Sequence, residues 1–180
     1  DLLIEITVTN RGPEAATLHV LPTLWFRNTW SWRDPAAVRP ALRLIEAAGT
    51  VAASHPDLGI RYLSGDGEPA WLFTENDTNL ERFGAGTNSS PYVKDAFHHY
   101  LVQGRLQAVN PGGTGTKAAA HYALTVDGGA SQVLRLGLRL GRPQRQLDEL
   151  LAADVLAAPH RHLGHHPRPD RLALAAVGPH

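Results

Sequence analysis

Hydrophobic and polar residues alternate along most of the first 140 positions, which is the pattern of half-buried β-strands. In segment 2–9, an aliphatic residue occupies every second position from Leu2 to Val8. Segment 17–26 alternates as well, and the turn residues of segment 10–15 between the two predict a hairpin. In this second segment one face carries Leu18, Val20, Leu24 and Phe26, and the other carries His19, Leu21, Thr23 and Trp25.

Further segments have the same strand pattern, namely 41–48, 59–65, 70–75, 118–126 and 131–140. The sequence Asp-Gly-Gly at 127–129 predicts a hairpin between the last two of them. No regular alternation of strands and helices is visible, so a parallel α/β sheet is disfavoured. The pattern predicts an all-β fold, an antiparallel β-sandwich.

A long irregular region, residues 76–116, interrupts this series of strands and contains one short helical segment at 92–101. Loops of such length inside a compact domain are usually functional or belong to an interface. Residues 76–116 are therefore expected to have a function or to belong to an interface.

Composition narrows the range of functions. The chain has 180 residues, with 17 basic and 17 acidic side chains and no cysteine. The charge balance gives no net field to attract nucleic acid or an anionic membrane, and the absence of cysteine removes disulfides and thiolate chemistry. No apolar run approaches the roughly 20 residues of a membrane helix. These features predict one soluble domain with no nucleic-acid or membrane partner. The lack of cysteine leaves the redox compartment undecided, and we expect a cytoplasmic protein.

Several motifs, in order along the chain, resemble the N-terminal region of bacterial glycosidases related to glycoside hydrolase family 63, the family of the α-glucosidase that processes mannosyl oligosaccharides. They are "ITVTNRGPEAATLHVLPTLWFRNTWSW", "LFTENDTN", "NSSPYVKDAFHHYLVQG", "AVNP" and "GTKAAAHYALTV". The resemblance covers residues 1–145. It implies a β-sandwich of supersandwich type that packs on an (α/α)6 barrel, with both catalytic carboxyl groups in the barrel.

The barrel is not in this sequence, and the chain begins inside a strand pattern and contains no methionine. We therefore expect a partial sandwich at 1–145 that has no catalytic residues and binds no cofactor or metal. Its expected partner is the missing barrel, together with an oligosaccharide.

Candidate contact residues follow the tryptophan-rich strand. Trp25 is in strand register and is expected to be structural. Arg27, Asn28, Trp30 and Trp32 come where the strand should end. For the two later tryptophans, we favour exposure on a surface that docks the barrel over direct contact with a sugar.

Polar residues of the irregular region are the other candidates. Lys94 and Asp95 are interpreted either as an interdomain ion pair or as solvated side chains. Glu75, Asn76, Asp77 and Asn79 are expected to hydrogen-bond the backbone of their own loop, as short polar side chains do in turns. A catalytic pair would need two carboxyl groups held about 5–10 Å apart across the scissile bond, and the resemblance assigns that pair to the barrel.

The final segment, residues 146–180, departs from the family pattern and is rich in proline and histidine. Its histidines at 160, 162, 165 and 166 have no rigid element to aim them at a metal. We expect disorder, and the composition is that of a shifted reading frame in GC-rich DNA.

Two functions remain open at this point. One is a non-catalytic sandwich that supports the barrel of a family 63-like α-glucosidase. The alternative is a free-standing carbohydrate-binding or adhesive immunoglobulin-like sandwich.

Overall fold

The computed structural model describes residues 1–30 and 38–141 and the backbone of 172–175. Its strands are β1 (Leu2–Thr9), β2 (Ala16–Val20), β3 (Thr23–Phe26), β4 (Ala41–Ile45), β5 (Thr50–His55), β6 (Gly59–Gly65), β7 (Ala70–Thr74), β8 (Thr114–Gly115), β9 (Lys117–Val126), β10 (Ser131–Leu140) and β11 (Leu172–Ala175). One α-helix, α1, spans Ala96–Gln103, and short 3-10 helices span Glu46–Ala48, Glu81–Phe83 and Leu106–Ala108 within the described residues.

The described strands form two antiparallel sheets. The first has the order β1-β10-β6-β5-β4-β8, with β1 at an edge. In the second sheet, β9 is central, with β2 and β3 end to end along one of its edges and β7 along the other. β2 and β3 are separate strands because Pro22 between them has no N–H to donate to the ladder; its carbonyl still accepts a hydrogen bond from the Ala120 N–H at 3.0 Å.

The main core lies between the two sheets. The second sheet contributes Leu24, Phe26 and Tyr122, and the first contributes Leu63 and Leu136, among other buried residues. These positions alternate along their strands, so each sheet buries one face, which is the condition for a sandwich. The prediction of an all-β antiparallel sandwich is confirmed.

A second cluster covers the outer face of the second sheet. Leu21, Leu72 and Ala119 point away from the main core and pack with Phe97 of α1 and with Val109. Phe97 and Val109 belong to residues 75–113, the segment that we call the β7–β8 connection. The second sheet is thus buried on both faces, and the connection forms a third layer.

Both predicted hairpins are wrong. β1 pairs with β10 and not with β2, and β9 pairs with β2 and not with β10. Each of the two connecting turns crosses from one sheet to the other, and the turns lie side by side: the Asn10 side chain donates hydrogen bonds to the carbonyls of Glu14 and Val126 at 2.7 and 2.8 Å. Alternation identifies the buried face of a strand, whereas the pairing partner depends on the path of the whole chain.

Every predicted strand segment contains a strand, although segment 17–26 forms two strands and the strand in segment 41–48 ends at Ile45, and the helix in the irregular region is present as well. β5 was missed because Val51, Ala52 and Ala53 are all buried, so the segment has no alternation to detect. β11 was also missed, since no strand pattern was recognised in the tail; it pairs antiparallel with β3. The predictions of disorder and of a shifted frame in residues 146–180 otherwise fall outside the described residues, as do the four tail histidines.

None of the helices in the described part of the chain is long and apolar enough to cross a membrane.

Candidate functional site

The candidate site lies at one end of the second sheet. β3 and β7 both run antiparallel to β9, and in register both Trp25 and Thr74 face Lys117 at its start. The residues that follow β3, those that follow β7 and those that precede β9 therefore meet at the same edge. Three segments that are distant in sequence are brought together there.

Asn28 joins the ends of β3 and β7. Its side-chain amide donates hydrogen bonds to the carboxylate of Asp77 and to the backbone carbonyl of Asn76. In return, the Asn76 side chain donates to the carbonyl of Phe26 at 2.8 Å. Arg39 lies 4.0 Å from the other carboxylate oxygen of Asp77. Asn28 is thus a structural link within the site.

Glu75 is bound by the residue that precedes β9. The Thr116 hydroxyl donates to the Glu75 carboxylate at 2.7 Å and accepts the Asn76 N–H at 2.7 Å. The carboxylates of this loop, as well as the Asn76 side chain, therefore bond neighbouring segments. The expectation that the side chains of this loop bond its own backbone is confirmed for Asn79, whose side-chain oxygen accepts the Arg82 N–H at 3.2 Å. It is wrong for Glu75, Asn76 and Asp77, because the tertiary fold places partners from other segments beside them.

The two lysines of the chain meet in this site. Lys117 donates to the backbone carbonyl of Lys94 at 2.7 Å, and its ammonium lies 4.6 Å from the ring centroid of Phe97. Burial, assisted by the nearby charge of Lys94, lowers the pKa of Lys117 to about 8, against a smaller opposing effect of Asp95. The Lys94 side chain is exposed and donates to the Thr78 hydroxyl at 3.1 Å.

Asp95 belongs to a separate polar cluster. It accepts a hydrogen bond from Arg82 at 3.2 Å and two from the Asn79 amide at 3.3 Å. Partial burial by itself raises its pKa, but the hydrogen bonds from Asn79 and Arg82 outweigh this effect, so the pKa lies below its ordinary value. Lys94 and Asp95 are thus neighbours in sequence but bond different residues, Lys94 to Thr78 and Asp95 to Asn79 and Arg82.

A pocket of about 540 Å³ opens beside this cluster, between segments of the β7–β8 connection. Its volume is within the range of about 300–1,000 Å³ that small-molecule sites occupy. Polar side chains line much of it, including Asn79, Glu81, Asn88, His99, Arg105 and Gln107.

The tryptophans do not form an exposed platform in the described structure. Trp30 is only 7% exposed and belongs to the main core, so its expected exposure on a docking surface is wrong. The Thr29 N–H donates to the Arg27 carbonyl at 2.8 Å, so the chain turns directly after β3, and alternation along the strand could not reveal this turn. Trp32 falls outside the described residues, and Arg27 is exposed at the end of β3.

Sequence reasoning missed Lys117, Thr116 and Arg82 as members of this region, and it named Asn79 only as a residue that bonds the backbone of its own loop. One signal was present for the first of these: the chain has only two lysines, Lys94 and Lys117, among 17 basic residues. Nothing in the spacing linked the others, because their partners lie in different segments. No group of three or more metal-ligating side chains occurs among residues 1–30 and 38–141.

Comparison with curated proteins finds a relative in Saccharomyces cerevisiae, the uncharacterized protein YMR196W, which is 36% identical over 147 residues. The match covers 68% of this chain but only 14% of the yeast protein. No known protein family and no solved structure matches the chain.

Proposed function

We propose that residues 1–145 form the non-catalytic N-terminal β-sandwich of an enzyme similar to the family 63 α-glucosidases, which act on oligosaccharides. In this proposal the sandwich supports an (α/α)6 catalytic barrel that the remainder of the parent protein supplies. The small share of the yeast relative that the chain spans is in keeping with a module of a much longer protein.

The observation that carries the proposal is the convergence of the resembling motifs. The ends of "LPTLWFRN" and "LFTENDTN", the middle of "NSSPYVKDAFHHYLVQG" and the start of "GTKAAAHYALTV" meet at one end of the second sheet. Residues there bond across segments, as with Asn28 and Asp77 or Thr116 and Glu75. A motif set that assembles one surface is what an interface with another domain requires.

Exposed apolar side chains on the β7–β8 connection supply a second reason. Phe83, Val102 and Leu106 are 69%, 69% and 67% exposed. Burial of large apolar side chains is favourable, so several exposed ones on one segment indicate a contact surface. The same connection carries Lys94 and the Asp95 cluster. We assign its outer side to contact with the barrel.

The carboxylates near the site favour a supporting role over a catalytic one. Glu75, Asp77 and Asp95 each accept hydrogen bonds from neighbouring side chains. A general acid must hold a proton near neutral pH, and the lowered pKa of Asp95 is opposite to that need. We therefore propose that the isolated chain hydrolyses no α-glucoside. As a separate proposal, we place the protein in the cytoplasm, which cell fractionation would test.

The test begins with the genomic DNA downstream of the codon for residue 145. We expect it to encode an (α/α)6 barrel, in register or one base out of frame. Co-expressed with residues 1–145, the barrel should co-purify with them and hydrolyse a chromogenic α-glucoside, whereas the chain alone should give only the buffer rate.

Mutations on the β7–β8 connection and, as a control, on β10 of the first sheet sharpen this test. Phe83→Ser with Leu106→Ser should weaken co-purification, while Val133→Ser, on the exposed face of β10, should not. The absence of a barrel in any frame, or hydrolysis by the chain alone that a carboxylate substitution abolishes, would refute the proposal.

A further inference from the structure

The pocket in the β7–β8 connection has a floor that is already ordered by its own hydrogen bonds. The Asn79 side-chain oxygen accepts bonds from the Asn88 amide at 3.0 Å and from the Arg82 N–H at 3.2 Å. Asn88 accepts the Leu80 N–H at 2.8 Å, and its own N–H donates to Glu81 at 3.0 Å. Because these side chains are held in place before any ligand binds, ordering them on binding would cost little conformational entropy.

The rim of the pocket, in contrast, offers polar groups that are not used by the protein. Arg105 and Gln107 are exposed, and the side chain of neither makes a hydrogen bond within the described part of the chain. Glu81 uses one carboxylate oxygen for the Asn88 N–H, which leaves its second oxygen for a ligand. The rim therefore presents both donors and acceptors.

The charges of the lining balance. Glu81 contributes one negative charge and Arg105 one positive charge, and the remaining polar groups are amides, a hydroxyl and the imidazole of His99. The imidazole is bound through Nδ1 to Gln103 at 3.0 Å. An anion would meet Glu81, and a metal cation would meet Arg105. A neutral ligand that both donates and accepts hydrogen bonds suits this lining better than either ion.

Apolar residues form the rest of the wall. Val93 and Ala96 are buried and line the pocket together with Pro91 and Ala108. A sugar ring has hydroxyl groups around its edge and C–H groups on its faces, so it can use the planar polar side chains and the apolar wall at once. A purely apolar ligand would leave the polar rim unpaired.

We propose that this pocket is a binding subsite for a neutral sugar unit of an α-linked gluco-oligosaccharide, with Arg105 and Gln107 as its main hydrogen-bonding contacts. The inference rests on the proposed function for the choice of an α-glucan. It assigns the sugar contact to the connection and not to Trp30, which is buried in the core.

Binding of maltotriose to the full chain, followed by isothermal titration calorimetry and by NMR, tests the proposal. We expect saturable binding to the wild type, with affinity reduced about tenfold by Arg105→Ala and by Gln107→Ala, the scale expected for loss of one hydrogen bond to a charged or polar group. Arg139→Ala, which removes an exposed arginine from β10 on the other sheet, is the matched control and should bind like the wild type. Circular dichroism checks that all variants are folded.

The inference would be overturned by a lack of saturable binding, or by binding that Arg105→Ala and Gln107→Ala leave unchanged. Tighter binding of glucose 6-phosphate than of glucose would also overturn it, since the site would then select an anion. The outcome is separable from that of the barrel test. A barrel that co-purifies with a chain unable to bind maltotriose refutes the subsite alone, and sugar binding with no barrel encoded refutes the proposed function alone.

Discussion

Trp30 is the residue whose burial differs most clearly from the prediction made from the sequence. Trp30 comes after the end of β3, where an exposed ring was expected, yet it packs in the main core with residues of both sheets. Its indole N–H is buried and has no hydrogen-bond partner within the described residues. The ring is therefore held by apolar packing alone.

Replacing Trp30 should accordingly reduce stability. Trp30→Ala is expected to lower the free energy of unfolding by about 3–5 kcal/mol, because a large buried ring leaves a cavity that the sandwich cannot fully close. Trp30→Phe should cost much less, since it keeps most of the apolar volume and removes the unpaired N–H. Urea unfolding measures both, with Val102→Ala as the exposed control. A loss below 1 kcal/mol for Trp30→Ala would show that the ring is not part of the core.

Lys117 should make stability depend on pH. Its pKa is about 8 in the folded protein and 10.5 ordinarily, so between these values the unfolded chain binds a proton that the folded chain does not. Stability should therefore rise with pH from about 8 to 10.5, by up to about 3 kcal/mol at about 1.4 kcal/mol per pH unit. Urea unfolding at several pH values should show this rise in the wild type and its absence in Lys117→Met. Equal pH profiles would contradict the assignment.

Among the elements, β1 is an edge strand in which every second side chain is exposed. It pairs only with β10 in the described structure, so its other edge presents free N–H and C=O groups. Its outer face carries Leu3, which is exposed, and the ion pair between Glu5 and Arg135 at 3.0 Å. An edge with a single charge and no proline is open to pairing with another strand.

We expect the isolated chain to associate through this edge as its concentration rises. Thr7→Lys places a charge on the exposed side of β1 and should shift the association to higher concentration while leaving stability within about 0.5 kcal/mol. Val133→Lys puts the same charge opposite Thr7, one strand further in, and should have a smaller effect. Light scattering that shows a monomer at all concentrations would mean that the edge is protected.

For the molecule as a whole, the sheets share one core, since the main cluster draws on strands of both sheets. The turns at Asn10 and Asp127 tie the sheets together at one corner: the Asn10 N–H donates to Ala130 and the Gly129 N–H donates to Asn10, at 2.9 and 3.0 Å. A Cβ on Gly128 would clash with the carbonyl of Pro13, so the two turns are in tight contact. The main core therefore belongs to both sheets, although the second sheet also packs a smaller cluster against α1 on its outer face.

Unfolding should therefore be a single cooperative transition. Far-UV circular dichroism, which follows the strands, and tryptophan fluorescence, which follows Trp30 among the indoles, should give the same midpoint in urea. Two separate midpoints would show instead that one sheet, or the β7–β8 connection, unfolds independently.

The class of fold and the buried faces of the strands follow from local patterns in the sequence. The face of Leu18, Val20, Leu24 and Phe26 was readable because strand side chains alternate with a strict period of two, and this period is a local property of the backbone. The resembling motifs and the long connection were likewise visible in the linear order of residues. From these the likeness to a glycosidase module could be proposed before any coordinates.

Which strands are neighbours and which polar groups meet depends on the path of the whole chain. The turns after β1 and β9 cross between sheets, so neither makes the hairpin that its sequence suggests. Lys94 and Lys117, 23 positions apart in sequence, meet because β9 begins where β7 ends. The pocket between Asn79 and Arg105 exists because the connection folds back on itself, and Trp30 is buried because the second sheet packs over the first. Contacts between distant segments depend on the closure of the whole sandwich, and no local period encodes them.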